Sequence, residues 1–299
     1  MKKIILQVFD KLLSKESKTK LEKVIFILAM AGFLIHLLVI GLVQWGQLDV
    51  DGSLIGLQNP IDAIYTPFSI ILFYEVYCLI YYLPKSITIY IGKQFEIITL
   101  ITIRDMFDEM SNLNLSSDLQ SNMQFIYSMV TILILFLLIF LFYKQNQKGI
   151  RINNSTEGKM IRLPERKKKY LFAKQVLALT VGLVFILLAF LNFFEWGSSN
   201  NTFIDFLQNA KPVTRSFFSN FFMVLILSDV VVLLFSFALT DVFPKVIRNS
   251  GFVISTTLIK LSFNVTGLAS HTLVIMAVVF GTLILFLYKR YKTIEVPED

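Results

Sequence analysis

SITIYIGKQFEIITLITIR, Ser86 to Arg104, is nineteen residues of mostly Ile, Leu, Thr and Phe, with Lys93 and Glu96 near its middle. Whether it crosses a membrane or merely joins segments that do sets the topology of the whole chain. Its nine Ile, Leu and Phe residues favour insertion by roughly 3–5 kcal/mol, whereas Lys93 alone opposes it by about 2.5–3.5 and Glu96 by a comparable amount. Alone, the segment inserts poorly. Lys93 and Glu96 are spaced i,i+3 and can pair on one helical face, and the remaining cost requires neighbouring helices to screen the charges from lipid. The stretch is therefore predicted to be an interior helix.

The rest of the chain supplies those neighbours. Of 299 residues 55% are apolar, and the mean hydropathy is +0.68, which is not how a soluble domain of this size is composed. Clear apolar runs extend over Val24–Gln44, Ile64–Leu83, Phe125–Tyr143, Gln175–Phe194, Phe217–Thr240 and Leu273–Tyr288. Each is about long enough to cross a hydrocarbon core of roughly 30 Å as a helix rising about 1.5 Å per residue. With Ser86–Arg104 and its counterpart at Lys245–Lys260, the fold class expected is an all-α polytopic membrane protein of eight helices.

Charge distribution favours eight spans over six. If both charged segments cross, 22 of the 28 Lys and Arg residues fall on the side of the two termini, and Arg104, Lys211, Arg215 and Lys260 fall outside. A six-span chain leaves RINNSTEGKMIRLPERKKK on the side opposite the Lys-rich N-terminus, against the positive-inside bias. The formal charge of +7 thus reads as an orientation signal and not as a nucleic-acid footprint. The expected location is the plasma (inner) membrane, multi-pass, with both termini cytoplasmic.

The two halves resemble each other. VQWGQLD and FFEWGSS match at Trp45-Gly46 and Trp196-Gly197, the only tryptophans in the chain, and FLFYKQNQK matches LFLYKRYK. FSIILFYEVYCLIYYL aligns with FMVLILSDVVVLLFSF, pairing Phe68 with Phe222 and Glu75 with Asp229, and TLITIR aligns with TTLIK. Four landmarks in one order predict an internal duplication, and an even number of spans per repeat makes the repeats parallel. The expected organisation is an amphipathic cytoplasmic helix over 1–21, a first four-helix repeat over 22–144, a basic cytoplasmic linker over 145–168, a second repeat over 169–290 and a tail over 291–299.

Chemistry is concentrated in the second and third helices of each repeat. Glu75 and Asp229 sit near mid-depth on the second helices, while Lys93, Glu96 and Arg104 lie on one third helix and Lys245 and Arg248, with Asp241, on the other. Each acid is expected to face the third helix of its own repeat. Two readings stand. The charges are ion pairs that lock each four-helix unit, or they line a polar path along which an ion or small solute moves. Ser86, Thr88, Gln94, Thr99, Thr102, Asn249, Ser250, Ser255, Thr256 and Thr257 widen the hydrophilic faces.

One cysteine, Cys78, and two histidines leave no material for a disulfide, haem or His/Cys metal site, so no cofactor is expected. A potassium-type filter, a nucleotide-binding loop and gathered carboxylates are missing from the sequence, and no nucleophile with a base can be assembled from spacing, so the chain does not read as an enzyme. The expected function is a channel or transporter for ions or small solutes. The alternative is a noncatalytic sensor or scaffold subunit whose partner is another membrane protein or a second copy.

Overall fold

A computed structural model describes residues 2–45, 60–111, 122–156, 165–199, 210–238 and 243–294. Among the described residues all regular structure is helical, with no strand. The helices are α1 (Lys2–Leu12), α2 (Lys15–Gln44), α3 (Tyr65–Tyr82), α4 (Ile87–Ser111), α5 (Met123–Thr156), α6 (Glu165–Ser199), α7 (Ala210–Phe237), α8 (Phe243–Ser262) and α9 (Leu268–Ile294), with a 3-10 turn at Pro60–Ile64 before α3.

Among the described residues five helical stretches are long and apolar enough to cross a membrane: Gln7–Gln44, Met123–Asn146, Lys169–Asn192, Ser219–Phe237 and Leu268–Tyr291. The apolar run at Ile64–Leu83 forms α3 as expected but is not among the five. Its eighteen residues include five tyrosines and Glu75, which dilute the hydropathy of an otherwise apolar helix. The stretch at Ser86–Arg104 lies almost wholly in α4 and is also outside the five, for the reason its charges suggested.

The distribution of exposure is inverted relative to a water-soluble bundle. Ile27 on α2 is 69% exposed and Leu133 on α5 is 65% exposed, whereas the polar Thr88, Gln94, Thr99 and Thr102 of α4 are buried. Continuous apolar surface of this kind on long helices is what a lipid environment tolerates and water does not.

Helix boundaries differ from the expected ones at two places. The surface helix expected over residues 1–21 ends at Leu12, because Ser14 caps a new helix: its hydroxyl accepts from the Ser17 amide at 3.0 Å, and Glu16 stands in the first turn where the helix dipole favours an acid. The basic segment over 145–168 is partly helical, as α5 runs on to Thr156 and α6 begins at Glu165.

Contacts divide the chain into two compact units, each assembled from separate stretches. The first comprises Met1–Cys78, Leu100–Met129 and Gly182–Phe221; the second comprises Leu79–Thr99, Val130–Val181 and Phe222–Asp299. In the first unit α2 packs on α3 and on the turn before it: His36 Nδ1 lies 2.6 Å from Thr66 Oγ1, the Tyr74 hydroxyl donates to Glu22 at 3.0 Å, and Ile40 and Ala63 are fully buried together. Phe73, Phe185, Phe217 and Phe221 form an aromatic cluster with centroids 5.3–6.5 Å apart.

The second unit is built on the α8–α9 hairpin. Gly267, with φ of 65°, supplies the left-handed residue that opens α9, a conformation that costs glycine little. Along the hairpin the Ser255 hydroxyl donates to the Ala277 carbonyl at 2.6 Å. Gly281 lies so close to α4 that a Cβ there would stand 2.6 Å from Phe95 Cζ and 3.0 Å from Ser255 Oγ. Phe95, Phe142 and Phe252 meet nearby, all fully buried. Between apolar helices in lipid this close contact replaces the hydrophobic effect as the source of association.

Candidate functional site

The second unit buries a set of polar side chains around one carboxylate. On α4 the i,i+4 spacing places Tyr90 and Gln94 on the same face; on α8 the i,i+7 spacing does the same for Asn249 and Thr256. Facing them from α7 is Asp229, 5% exposed, whose Oδ2 accepts a hydrogen bond from Gln94 Nε2 at 3.2 Å. The hydroxyls of Tyr90 and Thr256 are further polar neighbours of this carboxylate. Tyr90, Gln94, Asn249 and Thr256 are all buried.

Asn249 ties this group to a cation. Its Nδ2 donates to Ser236 Oγ at 2.6 Å, and its Oδ1 accepts from Arg248 Nε and Nη2 at 3.1 and 2.9 Å. The Arg248 guanidinium in turn lies 4.5 Å from the centre of the Tyr288 ring on α9. A second cation comes from α6. Lys174 is 2% exposed, donates from Nζ to the Lys85 carbonyl at 2.9 Å, lies over the Tyr170 ring and attracts Asp229 electrostatically. Burying an ammonium is costly, and here the Lys85 carbonyl, the Tyr170 ring and the attraction of Asp229 offset part of that cost.

Beside this cluster is a small cavity lined by Leu83, Ile87, Tyr90, Ile91, Asp229, Val232, Leu233, Asn249, Phe252 and Val253. The space open to the centre of a water-sized sphere is about 20 Å³. Polar groups from three helices therefore meet in a recess whose remaining walls are apolar.

The seven charged residues expected to form one network are divided between the units. Lys93, Glu96, Asp229, Lys245 and Arg248 belong to the second unit, Glu75 and Arg104 to the first. Lys93 and Glu96 form the expected ion pair, to which the Tyr143 hydroxyl adds a hydrogen bond on the other carboxylate oxygen. Lys245 is exposed at the start of α8. Arg104 is 2% exposed and contacts Asp105 at 3.1 Å and the face of Tyr65. Glu75 is partly buried on α3. Asp241, read with Lys245 and Arg248, lies outside the described residues. Asp229 meets Gln94 on the third helix of the other half, so its contacts are not confined to its own proposed repeat.

Lys174 and Tyr90 were not singled out by the sequence, and Gln94 and Asn249 were seen only as widening polar faces. For Lys174 a signal was present: a lone cation set inside YLFAKQVLALTV has no solvated helical face to occupy. Among the described residues no group of three or more His, Cys, Asp or Glu side chains could hold a metal ion. Compared with known protein families, curated proteins and solved structures, the chain matches none of them.

Proposed function

We propose that this chain is a plasma-membrane protein of eight transmembrane helices in two parallel four-helix repeats, both termini cytoplasmic, that moves an ion or small solute. The order of helices supports the repeat: α2 to α5 and α6 to α9 are four each, with the charged, polar helix third in both sets. Tyr143 and Tyr288, matched by FLFYKQNQK and LFLYKRYK, each touch a charged group on the third helix of their own set, Glu96 and Arg248 respectively.

The observation that carries the transport reading is the buried carboxylate of Asp229, surrounded by polar groups of α4 and α8 beside a cavity. A carboxylate held inside an apolar bundle is expensive, and such groups mark ion and proton routes more often than they serve stability alone. Asp229 acts as the counter-charge or proton acceptor for the moving species, and Lys174 balances it when the species is absent.

Flux through liposomes containing purified protein tests this, with thermal stability measured in the same detergent. Asp229→Asn is expected to remain folded and to lose flux, or to change its dependence on pH. A folded Asp229→Asn variant with unaltered flux for every ion that the wild type conducts removes Asp229 from the path, and a wild type that conducts nothing moves the reading to a sensor or scaffold.

A further inference from the structure

The cavity beside Asp229 has hydrogen-bonding capacity in its wall that no side chain uses. The hydroxyl of Tyr90, a residue only 3% exposed, has Asp229, Gln94 and Ser228 as polar neighbours but makes a well-formed hydrogen bond to none of them. Asn249 spends one Nδ2 proton on Ser236 and retains the other. The carboxylate of Asp229 takes one bond from Gln94 and has lone pairs left. Two donors and one acceptor thus converge on a space of about 20 Å³, against the roughly 10–15 Å³ that a single water requires.

We propose that this cavity is a binding site for one water molecule, which accepts from Tyr90 and Asn249 and donates to Asp229. Three bonds are the usual complement of a buried water, and leaving the tyrosine hydroxyl unmet costs more than ordering the solvent. An alkali cation is the poorer occupant. It cannot accept from the two donors, and Lys174 and Arg248 oppose a positive charge in the same unit. An apolar occupant leaves the Tyr90 hydroxyl orphaned. The water sets an exchangeable proton against a carboxylate that is otherwise sealed from solvent, a consequence that does not depend on which solute the protein moves.

Radiolytic hydroxyl labelling of the full-length protein, read by peptide mass spectrometry, tests the site, because a bound water generates radicals against the side chain that holds it. Tyr90 is expected to be oxidised several-fold faster than Phe95, which is fully buried on the same helix and does not line the cavity. Val232→Ile, which adds one methyl group to the cavity wall, is expected to bring Tyr90 down to the rate of Phe95. Tyr90→Phe, which keeps the ring and deletes the hydroxyl, is expected to lower labelling at position 90 by more than the lower intrinsic reactivity of a phenylalanine ring accounts for, so the test survives if the isoleucine variant does not fold. Equal rates at Tyr90 and Phe95 in the wild type overturn the proposal, as does undiminished labelling in a folded Val232→Ile protein.

Discussion

The side-chain amide of Gln94 donates to the carboxylate of Asp229 across 3.2 Å, joining positions 135 residues apart in the sequence. Both groups are buried, so neither has water as a substitute partner. Gln94→Leu is expected to cost about 1–3 kcal/mol, the penalty of leaving a buried acceptor unmet. Asp229→Asn should cost less, and the double variant less than the sum, with a coupling of about 0.5–3 kcal/mol. Unfolding in detergent, run as a double-mutant cycle, measures it; strict additivity would show that the two groups do not interact.

Lys174 depends on the same carboxylate from the other side. Lys174→Met leaves the Lys85 carbonyl without its donor and removes a cation that attracts Asp229 without pairing with it directly, and the expected loss is about 1–3 kcal/mol. Neutralising both, in Lys174→Met with Asp229→Asn, should recover part of that loss. Thermal midpoints of the three variants decide the matter. A double variant no more stable than Lys174→Met alone would mean that the lysine serves only the Lys85 carbonyl, to which it donates at 2.9 Å.

Gly281→Ala tests the packing of α9 on α4. The new methyl would stand 2.6 Å from Phe95 Cζ, so the ring must move, at an expected cost of about 1–3 kcal/mol. Combining it with Phe95→Leu, which withdraws the obstructing ring, is expected to make the alanine nearly harmless. An alanine variant as stable as the wild type would show that the two helices have room to separate.

The eight-span reading makes a labelling prediction in a Cys78→Ala background. A cysteine placed by Asn114→Cys should react with an impermeant reagent applied to intact cells, and one placed by Asn154→Cys should not. The opposite pattern would reverse the basic segment between the halves and end the eight-span topology.

Local features of the site were readable from sequence where the interacting groups are near one another in the chain. Lys93 and Glu96 meet because i,i+3 spacing leaves them adjacent on any helix. Gln94 and Asn249 were visible as polar residues on mostly apolar helices, but nothing local says that one faces Asp229 and the other Ser236 and Arg248. The expectation that Asp229 would face the third helix of its own repeat came from the duplication, and Thr256 on α8 is indeed among its neighbours. Tyr90 and Gln94 on α4 add neighbours that the expectation did not name, because helices in a bundle pack by shape and not by order in the chain.

By itself the sequence determined the all-helical class, the helices apolar enough for a membrane, and the interior character of Ser86–Arg104. These follow from composition, periodicity and the cost of exposing charge to lipid, each a property of a residue or of a few turns. Only the tertiary structure decided that Arg104 and Asp229 belong to different compact units, that Lys174 reaches a carbonyl 89 residues away, and that Tyr90 and Asn249 share a cavity. The physical reason is that helical periodicity specifies which face of a helix is polar, whereas the partner of that face is settled by side-chain contacts among helices distant in the chain.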